Sequence, residues 1–407
     1  MSEANEANET KKTALDLPPM NVVKEAQELI AIPGVTGDEG RIGEYLYARF
    51  RELGCDARLI EAAPDRYNVT AVWPGQEMEL GLLFHGHLDT IPTYNMEKPF
   101  EPLIRDGHIW GRGSVDQKGG IAAALSAFRE LIAGGRSLRC GVGFVGVIDE
   151  ESEHRGSMML KSMGMKAKQA IVTEPSGLKV GLGCKGSIPF TVTVKGRASH
   201  GCRPWLGVNA VEYGMKIAAE LLAEELPVFK PKGLDQVQAS LNLGLMNGGV
   251  AYNRVPDECE LCFDRRLVPG EDQNEIIQRI REIARRYEQK EGLEISVAIA
   301  RPDWNWQPIK ERGLKPAVTD RGESIVAAVI NAHRQVAGEE PLLYFTDGYN
   351  EMDFLINDLG IPTVQYGPGD SSLCHTDLEK LDIGQLTACA SVYLRAILDI
   401  CGGTDEH

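Results

Sequence analysis

The sequence predicts an α/β protein, an open twisted sheet interrupted by an inserted ferredoxin-like α+β unit. Three observations predict it. Toward both ends of the 407-residue chain, apolar runs of strand length alternate with stretches of helical spacing. Several of these runs end in polar residues at the carboxyl side, as LLFHGHLD does from Leu82 to Asp89, which is how an open sheet carries a site along one edge. The middle of the chain changes rhythm and reads β-α-β-β-α-β, so residues 187–308 are expected to form a separate domain within residues 20–186 and 309–407. A chain of this length also exceeds one typical core, which makes two domains the prior.

In order, residues 1–19 are polar and acidic without the apolar core of a signal peptide, and are expected to be a disordered tail. Val22–Ile32 and Gly40–Leu53 carry helical spacing, separated by Pro33-Gly34. Tyr67–Trp73 and Leu80–Phe84 read as strands, followed by a long irregular segment, Asp89–Gly113, of a length that is usually functional. GRGSVDQKGG then leads into a helix, Ile121–Ile132. Cys140–Ile148 and Ala170–Val172 read as strands ending in Asp149-Glu150-Glu151 and in Thr173-Glu174-Pro175. In the inserted unit, Ser187–Val194, Val237–Met246, Glu258–Leu267 and Leu293–Ala300 read as strands, with helices at Val208–Leu222 and Asn274–Tyr287. The α/β rhythm then resumes with a helix at Ser324–Val336, a strand at Leu342–Phe345 and a short helix at Met352–Leu359. A strand at Ile361–Tyr366 and a last helix at Ile383–Ile400 complete it.

Composition excludes several classes. A net charge of -16 argues against nucleic acid, which needs a basic surface, and against anionic membrane. No apolar run approaches the roughly 20 residues of a membrane span. Nine scattered cysteines suggest reduced thiols in a cytoplasm. Cys259 and Cys262 form a lone CxxC with no second pair at zinc-ribbon spacing, so a strand explains them better.

Chemistry concentrates at the strand ends: His87, Asp89, Asp116, Glu150, Glu151, Glu174 and His375 all fall outside the inserted unit. Two imidazoles with several carboxylates suit zinc or a similar divalent ion, and a bridging carboxylate lets five ligands hold a pair about 3.5–4 Å apart. Spaced two apart, His87 and Asp89 suit a ligating imidazole whose second nitrogen is held by a carboxylate. Adjacent Glu150 and Glu151 suit a division between general base and ligand. His85 is assigned a supporting or structural place, separate from the His87 face. His108, His154, His333 and His407 are read as solvated.

HGHLDTIP, GRGSVDQKGG, VIDEESEHRGS, TEPSG, GRASHGCRPWLGVNA and CHTDLEKL, in this order, resemble the dizinc amidohydrolase family. That family includes acetylornithine deacetylase, succinyl-diaminopimelate desuccinylase, aminoacylase and glutamate carboxypeptidase. The resemblance covers about Val22 to Ile400 and implies a metal-dependent catalytic domain with an inserted lid and dimerisation domain. It implies one metal on His87, Asp116 and Glu174 and a second on Asp116, Glu151 and His375. The ions would be two Zn2+, with Co2+ or Mn2+ as alternatives. Asp89 would orient His87, and Glu150 would be the general base. His200 would reach the neighbouring subunit's site in a homodimer, while Asn253 and Arg266 would contact substrate. The implied substrate is an N-acyl amino acid; the alternative is a dipeptide-like substrate that releases its carboxy-terminal amino acid. Glu174 matches the deacylase and carboxypeptidase branch. Gln117, where Met is common, and the loop TDGYNEMD (Thr346–Asp353) depart from the pattern.

Two competing readings are weaker. GVGFVG (Gly141–Gly146) and GLGCKG (Gly181–Gly186) match the dinucleotide fingerprint but read as strands, whereas that fingerprint must open a helix. A cysteine hydrolase built on Cys374 fails because adjacent His375 points away in extended chain.

Overall fold

The computed structural model describes residues 21–74, 79–289, 292–299 and 304–403; the acidic tail and His407 lie outside them. The larger sheet has nine strands. Across it run Asp56–Ala63, Arg66–Trp73, Gly141–Val147, Leu80–His87, Ala170–Val172, Thr363–Gln365, Val180–Cys184 and Ala317–Val318, while Leu343–Thr346 also pairs with Val180–Cys184. The four strands from Gly141–Val147 to Thr363–Gln365 are mutually parallel, so their carboxyl ends share one edge.

Leu80–His87 is buried along its whole length, and that explains its unbroken apolar reading. Its Leu82 and Phe84 face the helices Val22–Ile30, Gly119–Ala133 and Ile383–Cys401, where Phe84 lies 4.8 Å from the Tyr393 ring. Leu83 faces the opposite layer with Val145, Val172, Met352 and Phe354. His85 and His87 share the side of Leu83 by the strand's period of two, so the expected separation of these imidazoles onto different faces is wrong.

Gly120 opens the helix against Thr173: a Cβ there would lie 2.1 Å from the Thr173 carbonyl, so only glycine permits this approach. Ile383–Cys401 is long and apolar enough to cross a membrane, contrary to the sequence expectation, yet Leu386, Cys389, Tyr393 and Ile397 lie in the core.

The second sheet contains Ser240–Gly248, Glu258–Leu267, Gly186–Lys195 and Glu294–Ile299 in that order, antiparallel throughout. With helices Ala210–Leu222 and Gln273–Glu288 it is the expected ferredoxin-like unit. Asn209 and Asp272 cap those helices by accepting from backbone N–H groups one turn in. Cys259 is buried while Cys262, three residues on, belongs to the other face, so the CxxC is part of a strand.

Some elements differ from expectation. Asp56–Ala63 was not expected; it is a half-exposed edge strand with no clean alternation. Val237–Met246 divides at Ala239, because Val237–Gln238 pairs with Val228–Phe229 instead. The short helix expected at Met352–Leu359 is present, but its Phe354–Asp358 part is wound as a π-helix. The 89–113 segment contains the hairpin Leu103–Arg105 and His108–Trp110, to which Lys380–Asp382 adds a third strand.

Candidate metal centre

His87 ends its strand at the shared edge, and the loops after Gly141–Val147, Ala170–Val172 and Thr363–Gln365 bring in Glu150 and Glu151, Glu174 and His375. Asp116 comes from the turn before Gly119–Ala133, across a cis peptide bond to Gln117. His87 Nε2 lies 3.0 Å from Asp116 Oδ1 and 3.3 Å from Glu174 Oε1. His375 Nε2 lies 3.3 Å from Asp116 Oδ2 and 3.1 Å from Glu151 Oε2. Asp116 thus presents one oxygen to each imidazole.

The donor set fits a cation. His87 Nδ1 faces two acceptors, the Asp89 carbonyl at 2.9 Å and its carboxylate at 3.6 Å, so Nδ1 carries the proton. Nε2 then faces two carboxylate oxygens, an arrangement that needs a positive charge among them, either a proton on Nε2 or a bound cation. Asp89 orients His87 mainly through its backbone. Its carboxylate instead accepts from Thr36 Oγ1 and from the Glu150 and Glu151 N–H groups at 2.8, 3.0 and 3.1 Å, which fixes the acidic loop.

Titration follows this crowding. Burial pushes Glu150 well above the usual carboxylate range, with Glu151, Glu174 and Glu351 adding to it. Burial and Asp116 push Glu151 up to about 7 and also raise Glu174. Hydrogen bonds to Asp116 and Glu151 push His375 up to about 10. Asp116 is held below its ordinary value, because its two imidazole partners outweigh its burial.

A cleft of about 440 Å³ opens over these groups, lined by Asp116, Glu150, Glu151, Glu174 and His375 and, from the second sheet, by Asp264 and Arg266. His200 and Asn253 are not brought to it: they sit on two adjoining exposed loops of the inserted unit, where Gly201 N–H donates to the Asn253 carbonyl at 2.7 Å.

The profile of peptidase family M20/M25/M40 matches residues 83–399. The chain belongs to that family. Over 405 residues it is 28% identical to the succinyl-diaminopimelate desuccinylase of Azoarcus sp. (strain BH72), covering 94% of this chain and all of that one. Among solved structures, a tripeptidase from Staphylococcus aureus superposes with a TM-score of 0.77 at 22% identity, over 94% of this chain and 99% of the other. A dinuclear metal binding peptidase from Bacillus subtilis gives 0.67 at 14%, over 93% and 97%. The M20 chain is therefore a hydrolase of the amidohydrolase and peptidase kind, and the expected family and α/β architecture hold.

Several residues of this M20 site escaped the sequence reading. Glu379 is buried, and its carboxylate accepts from Arg112 Nη1 at 2.7 Å and from the Gly113, Val115 and Asp116 N–H groups at 3.0, 2.9 and 3.1 Å. It ties the Asp116 turn to the His375 loop. Gln117, noted only as a departure, donates to Glu174 Oε1 at 2.6 Å and accepts from Thr173 Oγ1. His154 is buried and lines the cleft, its ring 5.2 Å from Tyr349, so the solvated reading fails. It fails for His333 as well, which is buried with Nδ1 2.8 Å from the Tyr366 hydroxyl. His108 keeps part of its surface exposed.

The alternatives lose their footing in the M20 fold. Burial raises the Cys374 thiol far from the range of a nucleophile. The first glycine fingerprint lies in the strand Gly141–Val147, and the second runs from Val180–Cys184 to the start of Gly186–Lys195, so no helix opens at either.

Proposed function

We propose that the chain is a dinuclear-metal amidohydrolase that cleaves the amide of an N-acyl amino acid. The observation that carries this is Asp116 facing His87 and His375 with opposite oxygens, flanked by Glu174 and Glu151. His87, Asp116 and Glu174 would hold one ion, and Asp116, Glu151 and His375 the other. Imidazole and carboxylate donors suit Zn2+, with Co2+ or Mn2+ as substitutes. Two such ions supply polarisation of the scissile carbonyl and a lowered pKa for the attacking water.

Glu150 lines the cleft beside the ligands without being one, and its raised pKa suits a group that takes the water's proton and returns it to the leaving amine. Arg266, on the opposite wall, holds the substrate carboxylate. His200 and Asn253, exposed on residues 187–308, would serve the cleft of a second copy in a homodimer, with His200 stabilising the oxyanion. Residues 20–186 and 309–407 would then be the catalytic domain. The nine cysteines are thiols, which suits a cytoplasmic location.

Release of a carboxy-terminal amino acid from a dipeptide is the second reading, because Arg266 suits that carboxylate equally well. The test is a screen of the metal-loaded protein against N-acetyl, N-succinyl, N-formyl and N-carbamoyl amino acids beside simple dipeptides. Turnover led by an N-acyl amino acid is expected. Turnover confined to dipeptides favours the second reading, and none at all with both ions bound overturns both.

A further inference from the structure

We propose that the cleft selects a substrate with a single carboxylate whose remaining groups are uncharged and apolar or aromatic, and that Asp264 sets this selection. The inference rests on the hydrolase reading above and names its substrate class. Among the described residues lining the cleft, Arg266 is the only lysine or arginine. Its Nε lies 3.0 and 3.1 Å from the two oxygens of Asp264, which lines the same cleft. That contact leaves the two Nη groups, a fork that matches one carboxylate and no more. A second carboxylate on the substrate, as in a succinyl group or a glutamate side chain, would meet Asp264 and the metal-binding acids with no second lysine or arginine among the described lining residues. Lys185, buried near this region, is already paired to Asp347 at 2.6 Å and does not line the cleft.

The rest of the wall has the opposite character. Trp304 is buried and its indole N–H donates to the Ser152 carbonyl at 2.8 Å. The Tyr349 hydroxyl donates to Asp353 at 3.1 Å, and its ring lies edge-on to His154. With those polar tips satisfied by protein partners, the side chains offer ring surface to the cleft, joined by Pro189 and Leu314. Such a surface stabilises an apolar group and gives nothing to a charge. The related desuccinylase is named for a dicarboxylic acyl group, and the described lining residues of this chain offer no second lysine or arginine to hold one.

The experiment compares kcat/KM of the metal-loaded protein on matched pairs: N-benzoyl-L-alanine against N-succinyl-L-alanine, and N-acetyl-L-phenylalanine against N-acetyl-L-glutamate. The uncharged member is expected to lead by at least about tenfold in the pair that places the varied group in this recess. Asp264→Asn should narrow that ratio by about fivefold, the scale of a partly exposed ion pair, and Asp264→Glu should restore it. A lead by the dicarboxylate, or a ratio unmoved by Asp264→Asn, overturns this inference and leaves the hydrolase reading standing. No turnover of any member with both ions bound overturns the hydrolase reading, and this inference with it.

Discussion

Replacing Glu379 with Gln should loosen the metal centre without touching a ligand. The carboxylate accepts four hydrogen bonds, from Arg112 Nη1 and from the backbone N–H groups of residues 113, 115 and 116. Gln keeps one accepting oxygen and places an NH2 donor against donors. Arg112, 1% exposed, would remain buried as a cation without its carboxylate, with the Thr376 carbonyl at 3.1 Å still accepting from Nη1. Removing one partner of a buried pair costs about 3–5 kcal/mol. At about 2 °C per kcal/mol for a large domain, Tm should fall by about 6–10 °C. Because the Asp116 N–H is one of the four donors, the turn that aims its two oxygens should shift as well. Supporting groups of this kind are worth about 10–100-fold in metal affinity. Calorimetry gives the first quantity and chelator competition the second. If Tm falls by less than about 2 °C and metal affinity changes by less than about threefold, the carboxylate does not hold this turn and the reasoning fails.

Other outcomes follow from the same geometry. Glu150→Gln should keep both ions while kcat falls by about 10²–10⁴; a loss under tenfold with full metal content removes Glu150 as the base. Chelation should abolish turnover and lower Tm, and Zn2+ at about 100 times its Kd should restore about 2.7 kcal/mol of stability; an unchanged Tm on chelation would contradict this. Burial pushes Glu351 up to about 8, with Asp89 and Glu174 adding to it, against an ordinary value of 4.5. Its folded pKa is raised, so its contribution is fully present below the ordinary value and is lost as pH rises toward about 8. Glu351→Gln should therefore flatten the decline in Tm between pH 5 and 8, read from a thermal series; an unchanged slope refutes the burial argument. Gly120→Ala drives a Cβ into the Thr173 carbonyl and should cost more than the ordinary 1 kcal/mol scale of a helix substitution, checked by denaturant unfolding.

The candidate metal-binding cluster was legible because its chemistry sits where local pattern is strongest. His87, Glu151 and Glu174 each follow an apolar run that can only be an interior strand, and parallel pairing brings those ends to one edge. The inserted unit was legible for a similar reason, since alternate burial in Glu258–Leu267 leaves a period of two in the sequence. Glu379 was not legible. Four residues after His375 it looks like any surface acid, and only the return of the chain past Arg112 buries it. His154 sits in the polar string ESEHRGS, yet a left-handed backbone, with φ of 53°, accompanies a ring packed beside Tyr349 and Phe354. Asp56–Ala63 failed for want of contrast, because an edge strand half open to water needs no regular alternation. His200 matches a motif but lies away from the cleft of its own chain, and no single-chain pattern says which copy it serves.

The central claim is that Asp116 stands between two metal ions. Anomalous diffraction from Zn2+-loaded crystals, recorded at the zinc edge, tests it directly. Two peaks about 3.5–4 Å apart are predicted, one beside His87 and Glu174 and the other beside His375 and Glu151, with an Asp116 oxygen about 2.0–2.2 Å from each. A single peak, or a pair that Asp116 does not bridge, would contradict the account.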